Sequence, residues 1–306
     1  MSQHSRKKFT SGKKVTLGVS ALAASGLAVG LLVTPSATAS GTGAAEALKQ
    51  SKAAFADASA ARADAPKARA ANAAAATVVS NVTVNGGNSA AVGTTNTQTI
   101  TVKWKVSGGP TLYGSEASLW RGTTIEDGPE QFITSEQFNA NIDPCVQSGD
   151  STFDCKATYK IDPGYQLTNA DAGAWKLQVW AVTDSASEDT ENAKTWYLKR
   201  WSRMSNNASP EPVAKGKTIT ITGKLERANW DTHKYAGYTQ QTVRLQERSL
   251  TGSYATTSSH STGTGSLAGV EKQTRTATAD RCYRYKFEGT TTTPPVTAAG
   301  DCVDVR

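Results

Sequence analysis

Histidine and methionine are scarce in this 306-residue chain, which has three of the first and two of the second, and its four cysteines all lie at or beyond Cys145. Beyond residue 39 the only histidines are His233 and His260, and no C-x-x-C occurs, so the ligand spacing of a zinc site is missing. No histidine at all falls between residues 77 and 206, and no Gly-x-Ser-x-Gly occurs anywhere. A hydrolase needs a nucleophile, a base and an orienting group, and that set cannot be assembled here, although His233 beside Asp231 is weighed as a base. Gly263, Gly265 and Gly269 stand among Ser and Thr without a Lys-Ser/Thr or a following helix, which reads as a flexible loop rather than a phosphate cradle. Paired carboxylates for glycoside chemistry cannot be singled out, and the reading is of a protein that is not an enzyme.

Acidic residues are absent from the first 39 positions, which carry Arg6, Lys7, Lys8, Lys13 and Lys14. An apolar stretch from Val15 to Val33 follows, and then Pro35-Ser36-Ala37-Thr38-Ala39, the pattern of a secretory signal peptide cut after Ala39. The formal charge of +7 falls to +2 without that segment, too little for binding to nucleic acid by counterion release. With no cysteine near the cleavage site and no apolar tail at Asp301–Arg306, neither a lipid anchor nor a transmembrane anchor is expected in the mature chain. The expected location is extracellular or cell-wall associated.

The cysteines come as two close pairs, Cys145 with Cys155 and Cys282 with Cys302. Four cysteines allow three connectivities. Because each pair falls inside one expected domain, the pairings Cys145–Cys155 and Cys282–Cys302 are favoured, each worth roughly 3 kcal/mol by loop-closure entropy in an oxidising compartment.

Residues 40–76 are rich in Ala and have only Leu48 and Phe55 as large apolar side chains. Propensity predicts helix from Ala44 to about Ala63, with Pro66 interrupting a spacer that is otherwise partly disordered. At Thr77 the period changes to two. Thr99–Val106 alternates without a fault, with Ile100, Val102, Trp104 and Val106 on one face. Further strands are expected near 78–84, 116–121, 155–161, 175–182 and 195–201. After the turn-rich Asn206–Pro212 a second set is expected near 218–225, 242–247, 253–257, 272–278, 283–287 and 302–305. The expected domains are therefore a signal peptide (1–39), an Ala-rich spacer (40–76), a first β-sandwich (77–206) and a second (207–306), a mainly β fold of tandem antiparallel sandwiches. The two sandwiches carry net charges of −4 and +4, so complementary surfaces could steady the angle between them.

The lysine-glycine-led strand Lys215-Gly216-Lys217-Thr218-Ile219 and the loop Arg227-Ala228-Asn229-Trp230 resemble the C-terminal domain of secreted two-domain proteins of actinobacteria. The Cys145–Cys155 loop and Ala172-Gly173-Ala174-Trp175 are similar to their N-terminal half. The resemblance spans about residues 78–306. It implies two immunoglobulin-like domains and a secreted actinobacterial origin, and brings no activity. Some such proteins carry a calcium-binding label, but the D-x-[DN]-x-[DN]-G loop is missing here.

Three groups of side chains offer binding sites. Alternation turns Trp175 inward and Trp180 outward, so Trp120, Trp180 and Trp201 are expected as an exposed aromatic patch for sugar rings or a protein partner. Trp230, His233, Tyr235 and Tyr238 crowd one loop of the second domain, and packing at the domain junction is the competing account. Asp184, Glu188, Asp189 and Glu191 cluster in an expected loop and would offer oxygens to calcium, as would any solvated acidic turn. No other cofactor is indicated. The function expected is extracellular adhesion or interaction at the cell envelope with a protein or polysaccharide partner. The alternatives are a carbohydrate-binding module, or a secreted hydrolase or protease inhibitor.

Overall fold

The computed structural model describes residues 42–65 and 76–306. The expected signal peptide, and positions 40, 41 and 66–75 of the spacer, lie outside the described residues.

Helix α1 (Thr42–Ala63) opens the described chain. The first sandwich follows, from β1 (Val78–Val84), β2 (Ala90–Val92), β3 (Gln98–Ser107), β4 (Leu112–Arg121), β5 (Gln131–Ile133), a helical turn α2 (Glu136–Asn139), β6 (Cys145–Gly149), β7 (Thr152–Ile161), β8 (Gly173–Thr183) and β9 (Ser187–Arg200). One sheet has the order β1-β3-β7-β6 and the other β2-β9-β8-β4-β5. All pairings are antiparallel except β2 with β9. That distribution of consecutive strands between two sheets is the immunoglobulin-like sandwich.

The second sandwich comprises β10 (Ser202–Ser209), β11 (Thr218–Asn229), β12 (Lys234–Gly237), β13 (Thr242–Arg248), β14 (Ala255–Ser261), β15 (Val270–Thr276), β16 (Arg281–Phe287), β17 (Val296–Thr297) and β18 (Asp301–Val303). Its first sheet sets β10, β12 and β15 against β11, and its second runs β14-β13-β16 with β17 and β18 on the far edge. The same architecture thus occurs twice. Strand β10 pairs with β11 along its whole length, so the change of sheet falls at Trp201, and the turn-rich Asn206–Pro212 comes at the far end of that strand.

Alternation places the cores. Ile100, Val102, Trp104 and Val106 are buried in the first sandwich, and Ile219, Ile221, Leu225, Tyr283, Tyr285 and Phe287 in the second. Buried polar tips find partners across each sandwich: Trp104 Nε1 donates to Ser115 Oγ at 2.9 Å, Tyr159 Oη to the Ala117 carbonyl, and Tyr285 Oη to the Ile221 carbonyl at 3.2 Å. Tyr285 lies so close over β11 that a Cβ at Gly223 would collide with its ring, which is why this strand interior accepts a glycine. The disulfides are Cys145–Cys155 and Cys282–Cys302, each joining residues directly opposite on neighbouring strands, β6 to β7 and β16 to β18.

The spacer differs most from expectation. The helix forms over the predicted span, but it is packed: Ala44, Leu48, Ser51 and Ala58 are buried, with Phe55 partly so. That spacing of three, four and seven residues sets one stripe of α1 against the outer face of β4, β5 and β8.

Candidate functional site

The sheet β2-β9-β8-β4-β5 has two buried faces. Leu119, Ala117 and Ser115 of β4 point into the sandwich, so Trp120, Ser118 and Glu116 point outward. On β8 the outward set is Lys176, Gln178, Trp180 and Val182. Helix α1 covers this face. At its start Ala44 and Leu48 pack on Trp120, Ile125 and Phe132, and near its end Ala58 packs on Trp180 and Val182. Phe55 meets Trp180 edge to face with centroids 5.8 Å apart, and Trp180 Nε1 donates to Ser51 Oγ at 3.1 Å.

Polar groups lie under the same cover. Ser118 Oγ and Gln178 Oε1 are buried without a hydrogen-bond partner among the described residues. Glu116 is 1% exposed. Its two oxygens accept the backbone N–H and the hydroxyl of Ser135, each at 3.1 Å. Burial outweighs those bonds and pushes its carboxyl up from 4.5 to about 8, so it is a neutral acid at pH 7. Asp189, half-buried on β9, is also raised by burial, against the Gln178 amide that donates to it at 2.9 Å.

Beside Glu116 the cover is incomplete. A cleft of about 620 Å³ opens between the C-terminal half of α1, the start of β4 and the segment from α2 to β6. Its aromatic wall is Trp180, Tyr113 and Phe138, and its carboxyl groups are Glu116, Asp57 and Asp143. Ala54, Ala58, Ile142 and Pro144 add apolar surface, and no Lys, Arg or His lines it among the described residues. The volume is that of small-molecule sites, which are concave and mostly apolar with a few placed polar groups.

The expected exposed tryptophan trio does not form. Trp120 and Trp180 do face out of the sandwich, but α1 covers them, leaving 1% and 5% of their surface exposed, whereas Trp201 is 50% exposed. The physical reason is the helix that composition made look too poor in apolar residues to pack. Trp180 alone of the three lines the cleft.

The second group also disperses. Trp230 is fully buried among first-sandwich residues, and its Nε1 donates to the Gly93 carbonyl at 2.9 Å. Asn169 of the first sandwich joins the loop on both sides, accepting the Trp230 N–H at 3.0 Å and donating to Asn229 and Asp231. Asp231 is thus committed to Asn169, and His233 is exposed at the end of the hairpin turn with φ 53°. Tyr235 is stacked by the Arg203 guanidinium at 4.2 Å and Tyr238 by that of Arg227 at 3.8 Å. Arg200 donates to the Ala228 carbonyl at 2.6 Å, and burial, then the Arg227 charge, lowers it to about 10. The Arg-Ala-Asn-Trp loop is a junction, not an open aromatic site.

The four acids expected as a calcium cluster lie apart because residues 187–200 form a strand, where neighbours alternate between faces. Glu188 accepts the Val79 N–H at 2.9 Å on one face, Asp189 accepts from Gln178 on the other, and the Glu191 carbonyl accepts Trp120 Nε1 at 2.6 Å. Asp184 precedes the strand in a bend. No group of three or more His, Cys, Asp or Glu side chains placed to hold a metal occurs among the described residues. The cleft was missed by sequence reading, although alternation along Glu116–Trp120 already puts an acid and a tryptophan on one sheet face.

No family model and no curated protein matches the chain. Among solved structures it is similar to the dimeric latent PorU of Porphyromonas gingivalis (10% identity, 79% of this chain and 21% of that one, TM-score 0.27). It is also similar to a tetra-tandem repeat of a large adhesion protein (10%, 76% and 50%, TM-score 0.27) and to titin domains I67–I69 (10%, 76% and 66%, TM-score 0.29). The chain therefore spans 21% to 66% of the length of these structures. At such TM-scores the immunoglobulin-like assignment stands on the strand order itself.

Proposed function

We propose that the chain is a secreted, non-enzymatic binding protein of the extracellular space or cell wall, and that it takes its ligand into the cleft beside Glu116. One observation carries this reading: a 620 Å³ cavity with an aromatic wall and a buried carboxyl whose retention opposes folding. The rest of the molecule suits the role. Two disulfides fit an oxidising compartment, and no described helix is long and apolar enough to cross a membrane. Neither described histidine is among the residues that line the cleft. The actinobacterial origin implied by the Arg227–Trp230 loop is part of the same proposal.

The test is retention of the mature protein, residues 40–306, on insoluble envelope material, peptidoglycan, chitin and cellulose. Ala54→Phe plugs the cleft from the helix side and should abolish retention with the melting temperature unchanged. Retention that survives the plug moves the site elsewhere, and absence of retention on all four materials sinks the envelope role. Retention on one polysaccharide alone selects the carbohydrate-binding reading, which the Trp180–Tyr113–Phe138 wall favours.

A further inference from the structure

Sheet β14-β13-β16 of the second sandwich buries one face and opens the other. Val243 and Leu245 of β13 and Tyr283, Tyr285 and Phe287 of β16 lie in the core, so alternation turns Arg244, Gln246 and Arg248 outward on one strand and Arg284 and Lys286 on the other. Register sets Arg244 directly opposite Lys286, and like charges so placed oppose the pairing of their strands. One carboxylate answers both, Glu288, at 3.1 Å from Arg244 and 3.0 Å from Lys286. Arg248 and Arg284 make no ion pair among the described residues. Residues 1–41 and 66–75, outside that span, contain neither Asp nor Glu. Both guanidinium groups are nonetheless held in place. The Tyr254 ring centre is 3.8 Å from Arg284 and 5.0 Å from Arg248, and its hydroxyl fills the space that a side chain at Gly300 would need. Arg284 Nε donates to Gln246 at 2.8 Å, and Arg248 Nη1 donates to the carbonyls of Ser249 and Leu250. The remaining nitrogens of both groups carry no hydrogen bond among the described residues. A guanidinium fixed in this way has given up its rotamer freedom before a ligand arrives and presents a planar fork to an oxyanion. Ser259 stands opposite Arg244 and Thr297 opposite Lys286, which adds exposed hydroxyl donors on the flanking strands.

Four cations against one carboxylate call for an anionic partner, and three features narrow its kind. Outward side chains recur along a strand every second residue, about 6.6–6.8 Å apart, which suits charges repeated along a chain better than a lone anion. Neighbouring strands twist relative to one another, so a flexible backbone follows this face where a stiff glycan ribbon does not. Stacking of bases or sugar rings needs an open aromatic face, and the Tyr254 ring already has Arg248 and Arg284 against it. A polyol chain joined by phosphodiesters is flexible, carries one charge in each repeat and needs only guanidinium forks and hydroxyls. We propose that the outer face of β13 and β16 docks a linear phosphodiester-linked polyol, with Arg248 and Arg284 taking one phosphate beside Tyr254 and Arg244 with Lys286 taking the next.

The experiment titrates the mature protein calorimetrically with poly(glycerol phosphate), with dextran as the uncharged polymer and a single-stranded oligothymidylate of equal charge as the other phosphodiester chain. Poly(glycerol phosphate) should bind, dextran should not, and the oligonucleotide should bind more weakly because its bases find no open ring to stack on. Affinity should fall as salt is raised, and Arg248→Gln with Arg284→Gln should lower the log–log slope by about 1.4, the share of two phosphate contacts on a single strand. The same double variant should weaken binding by roughly tenfold. Lys215→Gln with Lys272→Gln removes equal charge from exposed positions off this face and should leave affinity within about twofold. Arg244→Gln relieves the repulsion with Lys286, so it should weaken binding without lowering the melting temperature, and it decides the matter if the Arg248 and Arg284 pair fails to fold. No binding of poly(glycerol phosphate), binding of dextran, equal or tighter binding of the oligonucleotide, or equal loss in the two double variants overturns the proposal. At about 1 M salt the screening length is about 3 Å and this contact is lost, so envelope retention measured there reports the cleft alone.

Discussion

Glu116 sets the pH behaviour of the fold. Its carboxyl is at about 8 in the native protein and near 4.5 when exposed, so between those values the folded chain holds a proton that the unfolded chain has lost. Stability is therefore fully present below about pH 4.5 and falls as the pH rises through 8, by a total on the order of several kcal/mol. Glu116→Gln keeps an acceptor for the Ser135 N–H and removes the titration. It should melt close to the parent at pH 5 and distinctly higher at pH 8.5, and parallel melting curves across that range would show that the carboxyl ionises normally. Trp230→Ala tests the junction in the same way: emptying a fully buried site should cost about 3–5 kcal/mol and split a single calorimetric transition into two. At this scale the sequence was half legible. Inward residues followed from alternation, as did the outward direction of Trp180, but whether an outward residue meets water depends on what lies over it, and alternation is silent on that.

Helix α1 is what lies over it. Alanine propensity alone predicts its span, yet its stripe holds only Leu48 and Phe55 as large side chains, against Trp120, Phe132 and Trp180 on the sheet. The apolar mass of the contact belongs to the sheet, which is why a helix read by itself gave no sign of packing. A chain starting at residue 76 should keep both sandwiches, whose cores close without α1, while uncovering that face. Expected consequences are strong binding of a hydrophobic dye and self-association seen by light scattering, since patches of this kind seldom stay bare. A truncated chain that remains monomeric and dye-free would mean that α1 covers nothing of consequence. Strand β9 teaches the converse: its acidic start, Ser187–Glu191, reads as a loop by composition, but pairing with β8 draws it into the sheet and separates the acids.

Across the whole molecule, opposite charge on the two sandwiches offers one account of how they are held, and the junction offers another. Only Trp201 separates β9 from β10, and the contact includes buried Trp230, hydrogen bonds from Asn169, and Arg200 on the Ala228 carbonyl. None of the ion pairs among the described residues crosses it. Contacts of that kind are buried and short in range, whereas attraction between two modules of −4 and +4 acts through solvent and is screened by salt. The two accounts separate in small-angle scattering between about 0.01 M and about 1 M salt, over which the screening length falls from roughly 30 Å to roughly 3 Å. If packing sets the angle, the radius of gyration of the parent protein stays constant over that range, and salt dependence emerges only in Trp230→Ala, where the wedge is gone and charge is left to act. A parent profile that expands with salt would instead place the modules' relative orientation under electrostatic control.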